Sequence, residues 1–341
     1  MNIKEVKLYN LFYNWLAISL ILVFFIIIVG GLTRLTNSGL SIIEWELFRG
    51  IIPPLNDITW QSYFEKYKTI PQYKLLNYSM TLNEFKIIFY WEYFHRFLAR
   101  IIGIFFLLPL ILFYYSKKID FFHIRTCFFI SLLILTQGFV GWYMVKSGLV
   151  YNITVSHYRL ALHLILALLI ISSIFWVLKN ILSNKKKIFF KLKKSYFPFQ
   201  FLIIIIFIQI VFGAFVSGLD AGMIYQTWPL MGNSFFPNDF HLNSFKDLFD
   251  FHNHSLIQFY HRNLAYFIFF YGILLTIFVY REKKSKLYKA LKIFLTILSI
   301  QVILGVVTLV SNLNIFLASA HQVAGVLLVF SALNLYYLNV K

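Results

Sequence analysis

The feature that most restricts this chain is a series of about eight apolar runs of roughly 20 residues, starting near Asn14, Trp91, Phe121, His157, Phe197, Leu256, Lys289 and Leu317. Coiled as helices, runs of that length match about 30 Å of hydrocarbon. Backbone polar groups cannot be left unpaired in lipid, so each run is expected to be a helix and not a barrel strand. The fold class is then an all-α polytopic membrane protein with eight transmembrane helices. Composition agrees, with 60% of the 341 residues hydrophobic and 20% aromatic.

The formal net charge of +18 could suggest nucleic acid, but no basic stretch is interleaved with a stacking platform. Nucleic acid is therefore not an expected partner, whereas membrane lipid is. The charges alternate from loop to loop. Lys117, Lys118 and Arg125 fall in one connection, Lys179 to Lys194 hold seven lysines, and Arg281 to Lys292 hold six basic residues. Of the intervening connections, the third to fourth holds Lys146, the fifth to sixth holds Lys246 and the seventh to eighth holds no basic residue. By the positive-inside rule the Lys-rich loops, and with them both termini, face the cytoplasm. The first run follows about a dozen residues, is too long for a signal-peptide core and has no small-residue cleavage site behind it. No Arg-rich transit peptide precedes it, which points to a bacterial inner (cytoplasmic) membrane. The single Cys127 excludes intramolecular disulfides and thiolate clusters.

Two connections on the outward side are long, about Arg34 to Tyr90 and Ser217 to Ser255, and the sequences around them repeat. Glu92-Tyr93-Phe94-His95-Arg96-Phe97-Leu98-Ala99 aligns without a gap on Gln258-Phe259-Tyr260-His261-Arg262-Asn263-Leu264-Ala265. The third and seventh runs share Gln137-x-x-x-Gly141 and Gln301-x-x-x-Gly305, and the fourth and eighth carry His163 and His321. Gly and Gln at helix interfaces also serve plain packing; the His-Arg match is harder to set aside. Four helices per repeat enter the bilayer in one orientation, so the expected architecture is two homologous four-helix bundles related by a pseudo-two-fold axis along the membrane normal. The expected organisation is an N-terminal half over 1–180, a Lys-rich linker over 181–194 and a C-terminal half over 195–341.

Four of the nine histidines, His95, His163, His261 and His321, fall inside predicted helices at repeat-related positions. Ionisable groups at membrane depth are costly and mark function by default. Two imidazoles projecting from different helices into one bundle suit axial ligation of a haem iron, one haem per half. Any single one of them would more often be a helix histidine bonded to a carbonyl. Zinc would need three or four close ligands, and too few acids or thiols accompany the pairs. The other five histidines are read as solvated, His157 being less clear because it shares a helix with His163. Arg96, Arg100, Arg159 and Arg262 lie near the outward ends of the His-bearing helices, where they could pair with haem propionates or snorkel to headgroups. Glu92 shares a helix face with His95, and its repeat partner is Gln258. That inequality points to chemistry in the first half, with a structural bond to an arginine as the alternative.

Gly30-Gly31-Leu32-Thr33-Arg34-Leu35-Thr36-Asn37-Ser38-Gly39-Leu40-Ser41, Glu44-Trp45, Pro53-Pro54, Trp60 and Pro71-Gln72 resemble the first helix and loop of the haem A synthase family. Further along, Glu92 to Arg96, Tyr158 to His163, Asp220-Ala221-Gly222, Thr227 to Gly232 and His321 to Gly325 resemble it in order. The resemblance implies an oxidoreductase that converts haem O to haem A for cytochrome oxidase by two successive hydroxylations of one ring methyl, with water-derived oxygen. It implies that His95 and His163 flank the substrate haem O with Glu92 as the catalytic residue beside it, and that His261 and His321 are axial ligands of a haem b cofactor. Haem O synthase would be the substrate donor, and an electron acceptor of unidentified kind would be needed. Self-association is left open. Lacking loop cysteine pairs, the chain is similar to the alphaproteobacterial and mitochondrial branch, although His157 stands where proline is expected. Two rivals keep the same histidines: a quinol-linked di-haem b-type cytochrome, which needs no Glu92, and a transporter with proton-relaying histidines.

Overall fold

The fold is described from a computed structural model that covers residues 3–45, 49–149, 153–242 and 244–340. Among the described residues ten α-helices follow one another: α1 (Ile3–Leu35), α2 (Asp57–Lys68), α3 (Pro71–Leu75), α4 (Leu82–Ser116), α5 (Phe121–Gly148), α6 (His157–Leu182), α7 (Phe197–Gly218), α8 (His254–Arg281), α9 (Tyr288–Val310) and α10 (Ile315–Asn339). Eight of them, all but α2 and α3, are long and apolar enough to cross a membrane. The chain is a multi-pass membrane protein. Polar side chains within the spans mostly bond back along their own helix, as Ser19 does to the Trp15 carbonyl at 2.8 Å and Thr136 to that of Leu132 at 2.9 Å.

The second span begins at Leu82, not near Trp91, and the reason lies in its start signal. Thr81 and Glu84 form a capping box, with the Thr81 backbone N–H donating to Glu84 Oε2 at 2.8 Å. Phe85 and Phe89 of the added turns are buried with Trp60, Phe64 and Tyr67 of α2. At 35 residues, α4 is about 50 Å long and overshoots the hydrocarbon by several turns. His95 therefore sits more than three turns into its helix, and α2 with α3 gives the first long loop a core of its own.

Two compact units divide the chain, Met1–Ile174 and Phe175–Lys341, and the division falls within α6. In the first, α1 packs on α4 and α4 on α5. In the second, α7 packs on α8, α8 on α9, α9 on α10 and α10 back on α7, a closed four-helix ring around Phe199, Leu202, Phe294, Leu298 and Tyr336. The end of α6 and the Lys-rich segment belong to this second core. Trp176 donates to the Lys187 carbonyl at 2.8 Å, and the Lys187 ammonium caps α10 through the carbonyls of Tyr337, at 2.7 Å, and Val340.

Candidate functional site

The helices bring the four histidines together in two pairs. The rings of His95 (α4) and His163 (α6) have centroids 6.4 Å apart and planes tilted by 33°, while those of His261 (α8) and His321 (α10) are 6.5 Å apart at 78°. All four histidines are half-buried. Each also faces a glycine on a neighbouring helix. A methyl group placed on Gly30, Gly141 or Gly305 would come within 2.9 Å of Cε1 of His95, His163 or His321, and one on Gly213 within 3.1 Å of His261 Cε1. Any larger residue would displace the ring, so the glycines make the seats in which the imidazoles lie.

Glutamines complete three of these seats. Gln137 and Gln209 each donate an amide hydrogen to the backbone carbonyl of their histidine, His163 and His261, at 3.0 Å in both cases. Gln301 places its amide nitrogen 3.4 Å from His321 Nε2. Nδ1 of His163 and of His321 is buried without a hydrogen-bond partner, a state that a buried polar atom rarely keeps unless a ligand fixes the ring. An iron bonded to two imidazole nitrogens at about 2 Å, with each ring centre about 1 Å further back, sets the centres about 6 Å apart. Both pairs fit that spacing, and a pair of neutral imidazoles is a donor set suited to haem iron. Among the described residues no three His, Cys, Asp or Glu side chains converge on one point.

Three residues before His95 on α4, Glu92 is buried and hydrogen-bonded through both carboxylate oxygens. Its Oε2 accepts from Ser41 Oγ at 2.7 Å and from the Ile42 backbone N–H at 2.8 Å, and its Oε1 accepts from Arg96 at 2.6 Å. Arg96 also donates to the Ile42 carbonyl at 2.9 Å and lies over the Trp45 ring. Acid and arginine together clamp the loop that follows α1. Arg96 and Arg100 line one small cavity with Ile42, Tyr63, Phe89 and Tyr93. Arg159 stands apart from them, bonded to Ser147 and stacked on Tyr143 of α5. In the second unit Gln258 and Arg262 both donate to the Tyr225 carbonyl, at 2.8 and 2.7 Å, and Arg262 reaches the Thr227 carbonyl at 2.8 Å.

Residues 13–333 match the family model described as Cytochrome oxidase assembly protein. The chain belongs to this family. It is 46% identical over 330 residues to a Pelagibacter ubique protein named "Heme A synthase", with 95% of each chain covered. Proteins of the same name are 40% identical in Rickettsia africae, over 96% of this chain and 98% of the relative, and 44% identical in Rickettsia bellii, over 92% and 94%.

Within this family member, sequence reasoning missed the roles of Gly30 and Gly213 and the partner Gln209. The signal was available, since Gln-x-x-x-Gly occurs at Gln209 to Gly213 as it does at Gln137 and Gln301. It also read His123 as solvated and left His157 less clear. His123, in the first turn of α5, is buried against Phe122, and His157 opens α6 buried beside Tyr158. His241, His252 and His254 are exposed as expected.

Proposed function

We propose that this chain is a haem A synthase, an oxidoreductase that takes haem O as substrate in its first half, between His95 and His163, and holds a haem b cofactor in its second half, between His261 and His321. The observation that carries the reading is the pairing of imidazoles at bis-axial spacing in both halves, in a chain 40–46% identical to proteins of that name. When bound, the haem b supplies a redox centre that takes up and passes on electrons. The protein's own part is positional. Glycine seats fix each ring, glutamines tie three of them, and the Glu92 and Arg96 clamp closes the loop over the His95 side.

Glu92 has its lone pairs engaged by three donors, which favours a positioning role at rest. Released from Arg96, the same carboxylate would be placed to orient water or accept a proton beside the substrate edge. Arg96, Arg100, Arg159 and Arg262 are the basic groups assigned to pair with haem propionates. The substrate would come from haem O synthase, the product would go to cytochrome oxidase, and a separate acceptor would remove the electrons. The Lys-rich connections support a bacterial inner membrane with both termini cytoplasmic. The test is mass spectrometry of haems extracted after expression with haem O synthase. Haem A is expected, whereas haem O unchanged beside a loaded haem b would favour the electron-transfer cytochrome.

A further inference from the structure

Three of the four histidines share a partner that the fourth lacks. Four residues before the glycine that each ring meets stand Gln137, Gln209 and Gln301 for His163, His261 and His321, and Ile26 for His95. Four residues are about one helical turn, so each of these side chains shares its glycine's helix face. The three amide nitrogens lie 3.2, 3.1 and 3.4 Å from a ring nitrogen of their histidine, and two of them also hold its backbone carbonyl. Ile26 can offer none of this. Among the described residues no side chain hydrogen-bonds the His95 ring. With iron on one ring nitrogen the other carries a hydrogen, which the glutamine amide can hold by turning its Oε1 toward it. A ring beside a glutamine therefore stays tied with or without metal, while one held by packing alone is free to turn away.

The position of the missing glutamine matches a demand of the reaction. A resident cofactor never has to leave, and both of its histidines are tied. A substrate haem has to enter and depart, and one of its two histidines is untied. We propose that His95 is the exchangeable ligand of the first pair, releasing iron as substrate comes and goes, while His163, held by Gln137, stays in place. This rests on the assignment of the first half to substrate. In the exchange the bond from iron to the His95 nitrogen breaks, the electron pair stays on the imidazole, no electron changes centre, and a small ligand takes the freed position. Glutamines that only glue helices together would leave such exchange untouched.

The probe is carbon monoxide, mixed with the reduced, haem-loaded full-length protein. The first-half haem is read alone in a His261→Ala and His321→Ala double background and the second in a His95→Ala and His163→Ala double background, each shown by extracted haem to hold one haem. Carbon monoxide is expected to bind the first-half haem readily and the second slowly. Ile26→Gln, which supplies the missing amide, is expected to slow binding to the first by about tenfold or more at unchanged haem content. Gln209→Leu is expected to speed binding to the second by a similar factor, and it carries the test should Ile26→Gln hold no haem. Wild-type rates in both variants would overturn the proposal, as would equal rates at the two haems of the parent proteins. Haem A is measured on wild-type extracts in parallel, so loss of the enzyme assignment and loss of the exchangeable ligand are separate results.

Discussion

The two halves build the same junction between a long loop and a histidine-bearing helix with opposite hydrogen-bond polarity. In the first, the Glu92 carboxylate draws in the Ile42 N–H while Arg96 takes the Ile42 carbonyl. In the second, Gln258 and Arg262 both donate to the Tyr225 carbonyl. The first junction contains a buried ion pair and the second contains none of its acid. Geometry is thus shared across the repeat and charge is not, which makes Glu92 the place where the two halves diverge chemically.

Removing an imidazole is the largest perturbation of that comparison. His261→Ala or His321→Ala is expected to lose low-spin haem from the second half, or turn it high-spin, while His95→Ala or His163→Ala keeps that spectrum and abolishes haem A. Optical spectra of purified variants decide it. If all four substitutions bleached the same signal to the same extent, the assignment of one haem to each half would be wrong.

The junctions themselves come next. Glu92 and Arg96 have side chains only 4% and 12% exposed, so Glu92→Ala strands a buried guanidinium and is expected to cost about 3–5 kcal/mol. Glu92→Gln keeps an acceptor for Ser41 and Ile42 but sets an amide against Arg96, with an expected cost of about 1.5–3 kcal/mol and little haem A. The reciprocal Gln258→Glu turns a donor into a carboxylate facing the Tyr225 carbonyl, and should destabilise the second junction without touching product chemistry. Thermal unfolding in detergent measures the first quantity and extracted haems the second. Full haem A output from Glu92→Gln would show that the charge difference between the halves has no part in turnover.

Smaller effects are expected at the glycine seats. Gly141→Ala pushes a methyl to 2.9 Å from His163 Cε1 and should weaken haem retention about tenfold, with Gly213→Ala milder because its contact is 3.1 Å. Gly138 has nothing within 4 Å, so Gly138→Ala should leave haem untouched and stabilise α5 by about 0.5–1 kcal/mol. Equal haem loss in all three variants would point to general helix damage and not to displaced rings.

What the sequence makes legible here follows from physical range. Spans, their all-helical nature and the histidines that end up paired are readable because lipid leaves few choices for apolar runs and buried imidazoles. The start of α4 was misjudged because the eye follows hydropathy, while the signal was the Thr81 and Glu84 cap. Ser41 and Ile42 as the partners of Glu92 lie some 50 residues away, and nothing local announces a contact that depends on how a loop folds back. Glycine seats were half visible, as repeated motifs whose meaning needs the facing helix.

The smallest expected effect concerns how the second half fastens its long loop, where Asp239 adds to the hold of Gln258 and Arg262 on Tyr225. Asp239 accepts from the Tyr225 hydroxyl at 2.6 Å and from Ser255, at the start of α8, at 2.5 Å. Desolvation pushes the Asp239 carboxyl up, but the Ser255 and Tyr225 hydrogen bonds outweigh it and leave the group below its usual range. The same bond, foremost, raises the Tyr225 phenol. A lowered acid contributes stability that is complete above its unfolded value of about 3.9 and is lost as pH falls through the lower folded value. A raised phenol contributes stability that is complete below about 10 and is lost as pH rises through the higher folded value. The fastening should therefore be flat from about pH 5 to 9 and loosen beyond both ends, by a modest amount because the groups are largely solvent-screened. Limited proteolysis of the loop between α7 and α8 across pH, in wild type and Asp239→Asn, reads this out. Asp239→Asn should flatten the acid limb alone. A wild-type acid limb that survives in Asp239→Asn would assign the loosening to other carboxylates and leave the second loop held chiefly by Gln258 and Arg262.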